Sequence, residues 1–150
     1  MTQTSELVIE LADLTNPRHQ RAVVDLLDHY AREPIGGGVP LRPEVRERLI
    51  PGLRDHPTAM ILLAWQNDVP AGIALCFEGF STFNARRLVN IHDLAVHADF
   101  RGRGIGRALL RAARATARQR GCCKITLEVR HDNAVAMGLY RDEGYAELGG

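Results

Sequence analysis

The chain reads as a mixed α/β protein in which antiparallel strands come first and one crossover unit follows. Three observations predict this class. The elements follow the order β-α-α-β-β-β-α-β-α-β, with helical and strand periodicities alternating in the second half. Asn67-Asp68 separates two apolar runs, Met60 to Trp65 and Val69 to Phe80, as a hairpin turn would. A glycine-rich turn, Arg101-Gly102-Arg103-Gly104-Ile105-Gly106, joins the apolar run Leu88 to Val96 to the helical run Arg107 to Arg120.

Each element has a local reason. Leu7 to Leu11 reads as a short strand. Thr15 or Asn16 can cap a helix that has Pro17 at its first position, and Val23, Val24, Leu26, Leu27 and Tyr30 then recur at helical spacing. Gly36-Gly37-Gly38 with Val39-Pro40 ends that segment in a loop. Pro43 opens a second helix carrying Val45, Leu49 and Leu53, with Pro51 set to kink or end it. Ile105, Leu109, Ala112, Ala113 and Ala117 give the next helix an inner face, and Arg107, Arg111, Arg114 and Arg118 form an outer stripe that reads as solvated surface. Only Arg107, in the first turn, is expected near the glycine turn. Lys124 to Val129 alternates as a strand, Asn133 to Asp142 is a helix closed by Gly144, and Tyr145 to Leu148 starts a further strand. No repeat, low-complexity tract or linker interrupts the chain, so residues 1–150 are expected to form one domain.

Composition narrows the function. The net charge is +1, from 19 basic and 18 acidic residues, which gives no electrostatic footprint for nucleic acid or a membrane surface. No apolar run approaches the ~20 residues of a membrane span, and Met1 to Ser5 shows no signal-peptide pattern. Cys76, Cys122 and Cys123 offer neither a C-x-x-C pair nor a metal-ligand spacing, and they read as small apolar residues of a reducing cytoplasm.

The glycine turn carries the chemistry. A strand, a glycine turn and a helix N-terminus leave backbone N–H groups pointing outward, where the helix dipole favours an anion such as phosphate. The P-loop string is absent, and the dinucleotide fingerprint fits poorly because Arg107 stands at its third glycine and the turn comes late in the chain. The pattern [RQ]-x-x-G-x-[GA] is matched by Arg101, Gly104 and Gly106.

Leu94-Ala95-Val96, Asp99-Phe100 and Arg101 to Gly106 together resemble the acetyl-CoA signature of the GNAT N-acetyltransferases. Asn133 to Tyr145 resembles that family's next motif, N-x-x-A-x-x-L-Y-x-x-x-G-[FY], and the element order fits the fold over roughly residues 7 to 148. The resemblance implies a mostly antiparallel sheet with helices on both faces and a splayed parallel strand pair, Leu88–Val96 and Lys124–Val129, that binds acetyl-CoA. It places the pyrophosphate on the amides of Arg101, Gly102, Arg103, Gly104, Ile105 and Gly106, with Arg107 close by. Leu94, Ala95 and Val96 would line the pantetheine arm, and Asn133 would contact the cofactor or cap its helix. No metal is implied.

The implied reaction is direct attack of a primary amine on the thioester. An alkyl amine of pKa ~10 must lose a proton first, so a base is useful. His92 is the first candidate, by its titration range and its place beside the cofactor strand. Asn90-Ile91-His92-Asp93-Leu94-Ala95-Val96 resembles the H-x-H-x-L-A-V strand of arylalkylamine acetyltransferases, although Asn90 replaces the first histidine. Strand alternation puts Asn90, His92, Leu94 and Val96 on one face and Ile91, Asp93 and Ala95 on the other, unless a bulge near Asp93 changes the phase. Asp93 is the rival base, and Glu128 is a third acid near the splay. Tyr140 is implied as the acid that protonates the departing thiolate.

Tyr30, the Gly36–Leu41 loop, Phe77, Glu78, Phe80 and Phe83 are candidate walls for the acceptor, a small-molecule or peptide amine. Glu78 is suited to attract its ammonium. The family usually ends with one more strand than the sequence supplies, so an unpaired sheet edge and a homodimer that covers it are expected. Two alternatives stand beside the small-amine reading: a non-catalytic acyl-CoA-binding regulatory module, and an acetyltransferase of protein N-termini or lysines.

Overall fold

The computed structural model describes residues 6–129 and 132–146. Among these, five strands form one sheet in the order β1-β2-β3-β4-β5: β1 (Leu7–Leu11), β2 (Ala59–Gln66), β3 (Val69–Ser81), β4 (Arg86–Val96) and β5 (Ile125–Leu127). The first four pair antiparallel, and β4 pairs with β5 in parallel. Helices α1 (Pro17–Arg32) and α2 (Pro43–Arg54) lie between β1 and β2 in sequence, α3 (Ile105–Gln119) between β4 and β5, and α4 (Ala134–Asp142) after β5.

Local chemistry accounts for the boundaries. The Asn16 side chain accepts from the N–H groups of Arg18 and His19, which caps α1 above Pro17. Asn67 and Asp68 both adopt positive φ, 51° and 66°, the conformation of a two-residue hairpin turn whose twist matches the strands it joins. Pro51 does not end α2, which continues to Arg54. It sits in the last turn, where the Asp55 N–H still bonds to its carbonyl. The strand expected over Lys124 to Val129 narrows to Ile125–Leu127, the three residues that find partners on β4. Tyr145 and Ala146 are not in a strand, and the remainder of the run expected to Leu148 lies outside the described residues.

The sheet is covered on both faces. On one side α3 and α4 pack on Met60, Leu62, Ala74, Cys76, Val89 and Ile91, with Leu109 and Leu110 fully buried. On the other, α1 and α2 pack on Ile61, Leu63, Trp65, Ile73, Leu75 and Ala95. No helix among the described residues is long and apolar enough to cross a membrane. Leu109 is 0% exposed. Truncating it removes a full side chain and leaves a cavity, so Leu109→Ala is expected to lower the unfolding free energy by about 3 kcal/mol in a urea titration.

Candidate functional site

Strands β4 and β5 share only three paired positions: Val89 with Ile125, Asn90 with Thr126 and Ile91 with Leu127. β4 then runs on to Val96 while β5 stops. His92 to Val96 therefore hold β3 on one side and no β5 residue on the other. The His97 N–H reaches back to Ala71 O at 2.8 Å. By strand alternation the main-chain groups of Val96 and Leu94 turn the other way, into the gap. The Val96 carbonyl is already engaged, since Arg101 Nε donates to it at 3.2 Å.

The gap leads into the glycine turn. Gly102 and Gly104 have φ of +78° and +79°, and a Cβ built on either would meet no atom within 4 Å. Gly104 is the N-cap of α3 and no side chain caps it, so the first-turn amides face an open approach. Ile105 anchors that turn in the core at 2% exposure. Gly106 differs from the expectation of an open approach. Its missing Cβ would meet Leu139 Cδ2 at 3.3 Å and Val96 Cγ2 at 3.7 Å, so this glycine lets α3 pack closely on α4 and β4.

The turn is held from the far side of the sheet. Arg101 is paired with both carboxylate oxygens of Glu33, the residue that follows α1. His29 of α1 stacks on His97 with ring centroids 4.0 Å apart, and its Nε2 accepts the Ala98 N–H at 3.2 Å. Arg103 lies over the Phe100 ring, 5.5 Å from its centroid. Arg107 turns away from the glycines: its Nη1 donates to Glu143 Oε1 at 2.6 Å, and Asp142 lies at 3.5 Å.

The acceptor side shows the largest correction. Leu75 pairs with Asp93 and Cys76 with Ile91, so His92 is the extra residue of a β-bulge. The bulge changes the phase of the strand. Val89 and Ile91 face α3 before it, and Leu94 and Val96 face α3 after it. Asn90 pairs with Phe77 and Asp93 with Leu75, both of which face α1 and α2. His92 lies on that same side, with its ring 5.7 Å from Phe77 and nearly perpendicular to it. His92 and Asp93 thus share a face, and His92 parts company with Leu94 and Val96. His92 is exposed and Asp93 half-buried. Burial raises the Asp93 carboxyl above its usual range, opposed by the neighbouring His92. Asn90 Nδ2 donates to Thr126 Oγ1 at 3.0 Å, which ties the middle of the three paired rungs of the two strands.

Tyr140 is 9% exposed and packs edge-on to Tyr145 at 6.0 Å. Burial first, then the nearby Tyr30 and Tyr145, push its hydroxyl up to about 12. Asn133 caps α4, its Oδ1 accepting the Ala136 N–H at 3.2 Å. Glu78 is unsuited to attract an ammonium: it pairs with Arg120 at 3.0 Å and Arg87 at 3.8 Å, and its strand partner Val89 faces α3. Glu128 is exposed, one residue past β5. Burial pushes the Cys76 thiol up to about 12, so it holds no thiolate at neutral pH. Glu33, His29 and Glu143 carry no motif in the sequence, because each acts through a partner distant along the chain.

With this geometry in place, comparison with known proteins is specific. The acetyltransferase (GNAT) family model matches residues 22–145, and the chain belongs to that family. It is 35% identical over 95 residues to an uncharacterized N-acetyltransferase, YhfO, of Bacillus subtilis, an alignment covering 63% of each chain. It is 43% identical over 70 residues to the streptothricin acetyltransferase of Streptomyces lavendulae, covering 47% of this chain and 36% of that one. The chain thus spans less than two thirds of either relative. Among solved structures, an aminoglycoside N-acetyltransferase AAC(6')-Iy in complex with CoA superposes with a TM-score of 0.80 at 16% identity, covering 100% of this chain and 94% of the other.

The His29 contact sets a pH expectation. Burial first, then His97, lower its pKa below the usual value, and Arg101 and Arg32 act in the same direction while Glu33 opposes them. The folded protein thus binds fewer protons here than the unfolded chain. This contribution is present above the unfolded value of about 6.5 and is lost as pH falls through the lower folded value. The Tm is expected to drop between pH 7 and pH 5, and His29→Gln to flatten that drop.

Proposed function

We propose that this protein transfers the acetyl group of acetyl-CoA to a primary amine by direct attack within a ternary complex. The observation that carries the reading is the parting of β4 from β5 into a gap that ends on the uncapped first turn of α3. A nucleotide pyrophosphate fits that turn, because Gly102 and Gly104 present open backbone and the helix dipole favours the anion. The Leu94 main chain is suited to hold an extended pantetheine arm as an added strand would be held. Acetyl-CoA supplies an activated acyl group as a thioester.

The residues then divide the proton work. His92 Nε2 or Nδ1 takes the proton from the amine, directly or through one water, because the bulge turns the ring to the α1–α2 side of the sheet, where His92 itself is exposed. Asp93, on the same face, balances the imidazolium that results. Unpaired main-chain N–H groups of β4 polarise the carbonyl oxygen. Tyr140 holds its proton at neutral pH, since its hydroxyl titrates near 12, and delivers it to the leaving sulfur. None of the three cysteines is used as a nucleophile. The acceptor is a small amine: the streptothricin and aminoglycoside acetyltransferases named above act on the class of molecule their names state, and His92, exposed beside the half-buried Phe77, is accessible to such a ligand.

Three variants test the reading, with thiol release from acetyl-CoA across a panel of amines as the readout. Gly104→Trp is expected to abolish acetyl-CoA binding in calorimetry. Tyr140→Phe is expected to lower kcat by about 100-fold at unchanged affinity for acetyl-CoA. His92→Gln is expected to lower kcat/KM by about 100-fold at unchanged affinity for acetyl-CoA. An unchanged rate there with a loss in Asp93→Asn would move the base to Asp93. No thiol release with any amine, at intact acetyl-CoA binding, would leave a binding module.

A further inference from the structure

Glu143 follows α4 directly, three residues after Tyr140 and so on the same side of the helix. Its side chain is 5% exposed, yet it is charged. Three arginines of α3 surround it. Arg107 Nη1 donates to Oε1 at 2.6 Å, Arg111 Nε to Oε2 at 3.3 Å, and Arg114 Nη1 lies 3.8 Å from Oε2. Arg114 Nη2 also donates to the Glu143 carbonyl at 2.6 Å, one of the unpaired acceptors at the end of α4. Positions 107, 111 and 114 fall on one helix face, so a single carboxylate is read by a row about ten ångström long. The stripe that reads as solvated surface is therefore mostly a docking rail for α4.

We propose that Glu143 is a positioning residue that fixes the register of α4 on α3 and so sets where the Tyr140 hydroxyl stands. The inference rests on the proton-donor role proposed for Tyr140. α4 has nine residues, too few to be stable alone, and its placement depends on what it docks against. Apolar contacts such as Leu139 against Gly106 hold the two helices together, but apolar attraction is non-directional. A one-residue slip moves a helical side chain by ~1.5 Å along the axis, and a misplacement of ~1 Å at a reacting group can cost about 100-fold in rate. The three arginines oppose that slip because they reach one carboxyl group from three successive positions along α3.

Glu143→Gln keeps the size of the side chain and removes its charge. The expected result is a fall in kcat of about 10-fold with the KM for acetyl-CoA unchanged. Introduced into Tyr140→Phe, the same substitution is expected to have no further effect on kcat, because the group it positions is gone. Glu143→Asp is expected to recover part of the loss. Arg111→Gln, at a side chain 65% exposed, is expected to give a smaller fall of the same kind, and it serves if Glu143→Gln does not fold. A full additional loss in the double variant, or an unchanged kcat in both Glu143→Gln and Arg111→Gln, overturns the proposal. An unchanged kcat in Tyr140→Phe itself instead defeats the reading it rests on.

Discussion

The parting of β4 from β5 is the constraint on which the rest of the structure depends. A parallel pair normally continues until one strand turns away, and its backbone groups stay matched along the way. Here the match ends after Ile91 and Leu127. The unmatched stretch of β4 must find other partners or stay open. On the β3 side Asp93 to Val96 are paired, and on the other side, among the described residues, the Val96 carbonyl is engaged by Arg101. The gap also sets the shape of both cores. α3 and α4 cover it from one face, while α1 approaches the glycine turn from the other through His29 and Glu33.

The bulge at His92 works with that gap. An extra residue in β4 turns two consecutive side chains to one face, so an imidazole and a carboxyl stand together at the strand's point of divergence. Without the bulge, Leu94 and Val96 would leave the α3 face and the core under the gap would lose two apolar contacts. The apolar contacts of β4 before and after the bulge thus depend on the same phase shift that groups His92 with Asp93.

Much of this was legible in the sequence, for physical reasons that differ by element. Asn67-Asp68 is readable because few residues tolerate positive φ in succession, and the hairpin followed directly. The glycine turn is readable because open backbone at a helix start requires glycine at fixed offsets. The phase at His92 was not fixed by local alternation: a bulge is decided by how many residues the facing strand supplies, here Leu75 and Cys76. Glu78 and the arginine stripe misled for one shared reason. A charged residue of an isolated element looks free, for a ligand in the case of Glu78 and for solvent in the case of the stripe, and only the neighbouring element shows that Arg120 and Glu143 are waiting for it. Gly106 looked like its neighbours in sequence, yet it faces Leu139 rather than the approach to the turn.

The tie between α1 and the glycine turn has a mechanical consequence. The Glu33–Arg101 pair, the His29–His97 stack and the Ala98 N–H bond join the end of α1 to the segment that leads into α3. The residues that follow Glu33, beginning with the short turn Pro34–Gly36, form the loop toward α2. A displacement of the turn must either carry the base of that loop with it or break three contacts of different kinds at once. The base of that loop and the glycine turn are thus joined by a strut rather than by a hinge. Whatever energy holds one of them in place is shared with the other, and by reciprocity the sharing runs equally in both directions.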